Sequence, residues 1–387
     1  NMSGPFKRLL HWGPIAVLCI IKLITWAMVH MIGMWWPPSN SVGGALHAAT
    51  FLTLAVSTLY YFLQALLVGP GFLPHGWRPK CETDEKKMQF CSICNGFKAP
   101  RSHHCKKCGH CVLKMDHHCP WINCCVGHLN HKYFVYFLLS AVLGCLHASV
   151  VLIICLYHAV HRFWYIQYGR GDEPIIYVTL TTLLLTLLAT GMAVGVVLAV
   201  GALFYLQIRG VLNNRTTIEE WIIEKAVCRR QEQGLPPFQF PYDLGYKENL
   251  RLFRDGEKYD GINWIIAECC GEYDLTVEQK AQKVEKLERS RVYVARAAYS
   301  GRWVPLCAYT RAALAPPCSD EPRLPLVSGD TVRATRRRRH WLFGERMTRF
   351  TGPKGPRGWF PRECVAARIT KWEQYAQYPA ASACSRR

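Results

Sequence analysis

The sequence predicts a polytopic α-helical membrane protein with four transmembrane helices, a cytosolic cysteine-rich segment folded around metal, and a C-terminal all-β domain. Three observations predict it. Half of the residues are hydrophobic although the formal net charge is +20, so apolar and basic stretches must be segregated. The apolar residues gather in four long runs before Gln207. Eight of the nineteen cysteines crowd into residues 91–125 at metal-ligand spacings.

Residues 13–36, 45–68, 134–160 and 176–206 each reach the roughly 20 apolar residues that span a bilayer as a helix. A helix is required there because lipid offers no partner for backbone polar groups. Four such runs leave little room for a reading as buried soluble helices. Lys22 interrupts the first run and is free to snorkel or to face the bundle. That run is too long for a cleavable signal and no small-residue cleavage site follows it. Lysine and arginine set the orientation. Lys7 and Arg8 precede the first run, and the loop 37–44 has no charge. The loop 69–133 carries ten Lys/Arg against four Asp/Glu, and the region from Arg209 onward 32 against 21. In the loop 161–175, Arg162 and Arg170 are balanced by Asp172 and Glu173. Both termini and the cysteine-rich loop are therefore expected in the cytosol, with Trp35, Trp36, Trp164 and Tyr165 forming an aromatic belt on the opposite face. The partner of the basic surface is the lipid bilayer; no nucleic acid is expected.

Nineteen cysteines in a small secreted chain would indicate disulfides. Here the spacing is Cys91-x2-Cys94-x9-His104-Cys105-x2-Cys108-x2-Cys111-x4-Asp116-His117-His118-Cys119-x5-Cys125, which suits a reduced compartment and tetrahedral zinc. A loop this poor in apolar residues takes its folding energy from metal binding. Eight ligands for two ions are available without Asp116, His117 or Cys119. A cysteine beside a histidine, with a carboxylate near, has the parts of an activated nucleophile: the imidazole accepts the thiol proton and the carboxylate orients the imidazole. On spacing alone, the alternative that all of these residues bind zinc stays open.

The segment resembles the cysteine-rich domain of the DHHC family of protein acyltransferases, with Asp116-His117-His118-Cys119 intact and two transmembrane runs on each side. The resemblance covers most of residues 1–255. It implies two interleaved structural Zn2+ sites, one of Cys91, Cys94, His104 and Cys111, the other of Cys105, Cys108, His118 and Cys125. It implies His117 as base, Asp116 as its orienting group, and Cys119 as the nucleophile. Cys119 would take a fatty acyl group from acyl-CoA as a thioester and pass it, by a ping-pong reaction, to cytosolic cysteines of membrane-protein substrates. Lys98, Arg101 and His103 match positions that hold CoA phosphates. Trp121, Phe134 and Phe137 match acyl-slot positions, and Gly144 a position that limits chain length; helix packing is the alternative for Gly144. Thr216-Thr217-Ile218-Glu219 resembles the family's TTxE motif, with Thr217 placed to hydrogen-bond Asp116; an ordinary capping box has the same pattern. Asn249, following Tyr242-Asp243-Leu244-Gly245, resembles a C-terminal packing element. Two departures stand out. Cys124 replaces the usual Asn, as a filler or a slipped ligand, and Gly69-Pro70-Gly71 replaces the family's Asp-Pro-Gly.

Residues 276–291 read as a charged helix. Beyond it, Arg291-Val292-Tyr293-Val294, Ser328-Gly329-Asp330, His340-Trp341-Leu342-Phe343-Gly344 and Gly358-Trp359-Phe360-Pro361 resemble an SH3-type barrel, without its usual acidic opening and with a basic run at Arg336–Arg339. That run suits anionic lipid or a solvated loop better than a Pro-rich ligand. Cys307, Cys318, Cys364 and Cys384 are ordinary barrel and tail cysteines or sites of regulatory acylation. The chain thus divides into helices 1 and 2 (1–68), the zinc-binding segment (69–133), helices 3 and 4 (134–208), a TTxE and packing region (209–275), a linker (276–291), the SH3-like domain (292–370) and a tail (371–387). This arrangement resembles the endoplasmic-reticulum member of the family, which implies that membrane and a small SH3-engaging subunit of the selenoprotein K type. Two other readings compete: a non-enzymatic zinc-containing membrane adaptor, and a membrane thiol hydrolase.

Overall fold

The computed structural model describes residues 4–303, 309–347 and 355–367. It forms two compact units, one of residues 1–224 and 238–277, the other of 225–237 and 278 onward.

The first unit contains four helices long and apolar enough to cross a membrane: α1 (Trp12–Trp35), α2 (Val42–Val68), α3 (His131–Val160) and α4 (Leu180–Leu212). Each starts where a side chain or turn can satisfy the free amides of its first turn. Ser41 Oγ accepts from the Gly44 amide at 3.0 Å, and Thr179 and Thr182 make a reciprocal capping box. Gly69, at φ 75°, ends α2 in a conformation that glycine tolerates without strain. α3 is the central helix: 56% of its most apolar window is buried, against 17–28% for the others. Met28 and Met31 of α1, Phe51 of α2, Ala148 and Leu152 of α3, and Ala189 and Ala193 of α4 share one core. Alanines at these contacts let the backbones approach closely. α3 starts three residues before the apolar run expected at 134, and α4 continues six residues past 206. Helical hydrogen bonding does not stop where hydropathy falls, and the polar residues on those extra turns face the site described below.

Between α2 and α3 the chain makes three short antiparallel hairpins: β1–β2 (Phe90–Cys91, Gly96–Phe97), β3–β4 (His103–Cys105, His110–Val112) and β5–β6 (His117–Cys119, Cys124–Val126). After α4 come α5 (Thr217–Glu232), α6 (Tyr246–Arg254) and α7 (Asp274–Glu288). α7 ends before Arg291, where the residues read as linker already enter a strand.

The second unit holds a five-stranded antiparallel sheet of β7 (Arg291–Ala295), β8 (Thr331–Arg338), β9 (Trp341–Arg346), β10 (Arg357–Pro361) and β11 (Val365–Ala367), in the order β10-β9-β8-β7-β11. Its core is built on Val332, Trp341, Leu342, Phe360 and Cys364. Trp341 Nε1 donates to the Ala312 carbonyl at 3.0 Å. A bulge between Ala334 and Arg336 twists β8 where the arginine run begins. The run is divided in use. The Arg336 guanidinium lies 4.0 Å over the Phe343 ring and pairs with Glu321 at 2.5 Å, while Arg337 to Arg339 are exposed. Cys364 is buried and Cys318 exposed; Cys307, Cys384 and the chain end at Ser385-Arg386-Arg387 lie outside the described residues.

Candidate active site and metal clusters

The hairpins divide the work of the cysteine-rich segment. Two four-residue clusters bring their ligand atoms within 4.8 Å of one another: Cys91, Cys94, His104 and Cys111, and Cys105, Cys108, His118 and Cys125. In each, a turn supplies a Cys-x2-Cys pair and the next hairpin supplies a cross-strand pair, His104 opposite Cys111 or His118 opposite Cys125. His104 Nδ1 lies 3.5 Å from both Cys91 and Cys94 Sγ and 3.9 Å from Cys111 Sγ. His118 Nδ1 lies 3.5–3.6 Å from its three sulfurs. A tetrahedral ion with the usual Zn–S and Zn–N lengths separates sulfur from nitrogen by about 3.5 Å, so both donor sets fit zinc.

Side chains alternate along a strand. In β5 this sends His118 toward the second cluster, and His117 and Cys119 to the opposite face. Cys124 is opposite Cys119 and belongs to neither cluster. It packs with Cys119, Phe134 and Phe137 against α2, and burial pushes its thiol pKa up to about 12. It is a filler there, and the slipped-ligand alternative has no geometric support.

On the other face, His117 Nδ1 is 2.6 Å from Asp116 Oδ2, and Cys119 follows two residues on along the same strand face. Burial works against a charged His117, but Asp116 and then Cys119 outweigh it and push the imidazole up to about 9. Burial would likewise raise Asp116. The His117 bond, the neighbouring histidines and the Thr217 amide instead hold it well below the usual carboxylate range. That amide donates to Asp116 Oδ1 at 2.6 Å. At the same helix start Thr216 Oγ1 accepts from the Glu219 amide and Glu219 Oε2 accepts from the Thr216 amide, at 3.2 and 2.8 Å. The two readings of the TTxE run therefore coexist: a capping box sets the first turn of α5, and the turn presents its next amide to Asp116.

The phosphate assignment of Arg101 is corrected by the structure. Its side chain is 0% exposed. It donates to both Glu219 carboxylate oxygens, at 2.6 and 2.8 Å, and to the Asn214 carbonyl at 2.7 Å. The guanidinium also lies 4.5 Å from the Tyr242 ring and 4.7 Å from that of Trp264. A buried bidentate pair of this kind has no face left for a soluble phosphate. Lys114 stands in the same network, donating to Asn214 Oδ1 at 2.9 Å, and burial followed by the Arg101 charge pushes its pKa down to about 7. Lys98 and His103 are half-exposed.

Among the acyl-slot residues, Phe134 lies with its ring 5.5 Å from His117, and Phe137 packs on Phe62 at 5.4 Å. Trp121 sits apart from them, edge-on against Trp12 at the foot of α1. Gly144 is buried two turns further along α3, where an added Cβ would meet Leu54 Cβ of α2 at 3.5 Å. Asn249 is buried; it donates to the Leu212 carbonyl at 2.8 Å, satisfying the end of α4, and to Asp243.

Two residues of this network escaped sequence reasoning. Gln207 donates from Nε2 to Asp116 Oδ2 at 3.0 Å, and its Oε1 lies 2.9 Å from His131 Nε2. Both are buried polar residues at the ends of apolar helices, and that placement was the available signal.

A bundle of four helices long and apolar enough to cross a membrane, joined to a cysteine-rich segment with two Cys/His clusters able to hold metal, defines a class, the multi-pass membrane proteins with a metal-binding loop. The comparisons specify it. The DHHC palmitoyltransferase family matches residues 84–224. The chain is 41% identical over 378 residues to palmitoyltransferase ZDHHC6 of Homo sapiens, covering 93% of this chain and 91% of that protein. The Mus musculus protein of the same name is 40% identical over 380 residues, with the same coverage. Probable protein S-acyltransferase 16 of Arabidopsis thaliana is 34% identical over 252 residues, covering 61% of this chain and 82% of that one. The chain belongs to the DHHC palmitoyltransferase family and is a protein S-acyltransferase.

Proposed function

We propose that the enzyme moves a long fatty acyl group from acyl-CoA to cysteine thiols of membrane proteins by a ping-pong reaction through an acyl-Cys119 thioester. The observation that carries this is the 2.6 Å His117–Asp116 contact on the strand face that also holds Cys119. Asp116 fixes Nδ1 and leaves Nε2 open to the thiol. His117 takes the Cys119 proton, and the thiolate attacks the acyl-CoA carbonyl. The tetrahedral adduct collapses with loss of CoA thiolate, which leaves with the proton from His117. A substrate thiol then gives its proton to His117, attacks the Cys119 thioester and carries off the acyl group. The Cys119 sulfur recovers the proton as the site resets.

Two structural Zn2+ ions would stay outside the chemistry, the one on the Cys91 cluster tying the first hairpin to the second and the one on the Cys105 cluster holding β5 through His118. Lys98 and His103 are the remaining candidates for the CoA phosphates. Phe134, beside His117, and Phe137, next to Phe134, support an acyl slot running into the bundle. Burial there gains about 0.8 kcal/mol per methylene. The charge distribution supports a cytosolic cysteine-rich segment and cytosolic termini, and similarity to ZDHHC6 supports the endoplasmic-reticulum membrane. The five-stranded sheet supports an SH3-like domain that engages a small membrane subunit.

Cys119→Ser tests the reaction. The purified wild-type chain should take hydroxylamine-sensitive label from palmitoyl-CoA and pass it to an added membrane-protein thiol; the variant should do neither. Label retained in the variant would overturn the assignment of Cys119. Release of free fatty acid without acylation of an added thiol would make the protein a hydrolase.

A further inference from the structure

A groove of about 750 Å³ runs along the outer side of α1 and α2, lined by Lys22, Trp26 and His30 of α1 and by Leu52, Val56 and Leu59 of α2. Its walls are exposed apolar side chains: Leu52 is 43% exposed, Val56 66% and Leu59 37%. Thr25 and His30 are polar, and the one formal charge in the lining is Lys22, which is exposed and has no hydrogen-bond or ion-pair partner among the described residues.

The depth of Lys22 can be read from the fold. Gly13, at the foot of α1, is pressed against the Pro120 carbonyl, one residue from Cys119, so the start of α1 is level with the catalytic strand. Lys22 is nine residues further on, about 14 Å deeper at the helical rise. Its four-carbon stem covers only part of that distance. Trp26 and His30, stacked at 5.5 Å, continue the groove beyond it.

A charge at such depth is normally paired within the bundle or turned to a water-filled cavity. Pairing within this bundle is ruled out by composition. Across α1, α2, α3 and α4 there is no aspartate and no glutamate. The other cations of these helices, Lys132 and Arg209, lie near helix ends. A second copy of the chain would bring no membrane carboxylate either. The titratable groups facing the groove are Lys22 and His30, and neither can supply a negative charge.

We infer that the α1–α2 groove is the docking site for a membrane-spanning helix of another protein that carries a carboxylate at mid-depth. The apolar walls match the lipid-facing surface of such a helix, and Lys22 supplies the counter-charge that fixes register and partner. A lipid headgroup fits less well, because its phosphate stays at the interface while the ammonium lies below it.

The test uses the full chain, fluorescently labelled, in phosphatidylcholine vesicles. The probe is a Leu/Ala peptide of about 22 residues, long enough to span, with a single central Glu, compared with its Gln twin by energy transfer. The Glu peptide should bind at least about tenfold more tightly than the Gln peptide, a difference of about 1.4 kcal/mol. Lys22→Met should abolish the preference, and Lys22→Glu should transfer it to a Lys-bearing peptide. The melting temperature of each variant reports on its fold, and the charge swap gives a gain that misfolding cannot imitate. Equal binding of the Glu and Gln peptides would overturn the proposal, as would a preference that survives in Lys22→Met. Anionic phospholipid retained by wild type and lost from Lys22→Met would also overturn it, by making the occupant a lipid.

Discussion

Arg101 offers the sharpest test of the site, because the sequence and the structure assign it different work. As a ligand of CoA phosphate, its loss would raise the KM for acyl-CoA and leave stability unchanged. As half of a buried ion pair, its loss would do the reverse. The Arg101 and Glu219 side chains are both 0% exposed and joined by two short bonds. Removing one partner of such a pair leaves an uncompensated buried charge and costs about 3–5 kcal/mol. Arg101→Met should therefore lower the melting temperature in detergent by on the order of 6–20 °C, at roughly 2–4 °C per kcal/mol for a unit of this size. The double variant Arg101→Met, Glu219→Leu should recover much of that loss, since replacing both charges removes the desolvation penalty along with the attraction. Enzyme that remains folded at low temperature should show a KM for palmitoyl-CoA within about twofold of wild type, because a buried Arg101 makes no contact to the substrate that could be lost. An unchanged melting temperature with a tenfold rise in KM would refute the ion-pair reading and restore the phosphate role.

Three other outcomes are expected. Gln207→Leu removes one charge-assisted hydrogen bond from Asp116, worth about 1.5–3 kcal/mol; if the bond is held into the transition state, single-turnover acylation of Cys119 should slow by about 10- to 150-fold. Unchanged acylation in a folded Gln207→Leu enzyme would confine the residue to packing. Cys105→Ala should lose the metal of its own cluster and, because β5 hangs on that cluster through His118, most of the activity. Elemental analysis showing full zinc content in that variant would refute the ligand assignment. Gly144→Ala should be tolerated, since the added Cβ meets Leu54 at an ordinary 3.5 Å. Gly144→Phe should displace Leu54 and shift acyl-chain preference toward shorter chains. An unchanged chain-length profile with a lowered melting temperature would make Gly144 a packing residue only.

The parts of the fold legible in the sequence are those governed by local rules. Hydropathy located four membrane helices because a helix must be apolar for the full width of the bilayer. Ligand spacing showed that eight residues could serve two ions without Cys119, the family resemblance supplied the two sets of four that the structure brings together, and the strand-like runs of the C-terminal unit lie in or beside β7, β9 and β10. Arg101 was misread because its partner is 118 residues away. A basic residue in a basic loop looks solvated until the fold closes over it. Gln207 and His131 were passed over for a related reason. They occupy the ends of apolar runs, where a polar residue usually marks only the exit from the membrane.

The division of labour in Asp116-His117-His118-Cys119 follows from strand geometry once the hairpin is known. With a period of two, adjacent histidines cannot share a face, so one turns to the metal cluster and its neighbour to the thiol. On the proposed reading a metal ion in that cluster would act on the chemistry at one remove: it would fix His118, the backbone of β5 would carry that constraint one residue in each direction, and His117 and Cys119 would inherit their positions. The bonds to Asp116 complete the frame from outside the hairpin, from the Thr217 amide and from Gln207. A hairpin with three residues per side and little core of its own could not hold this geometry alone. The last turns of α4 and the first turn of α5 reach Asp116 from 91 and 101 residues away, so the proposed catalytic array is assembled only when the helical bundle is.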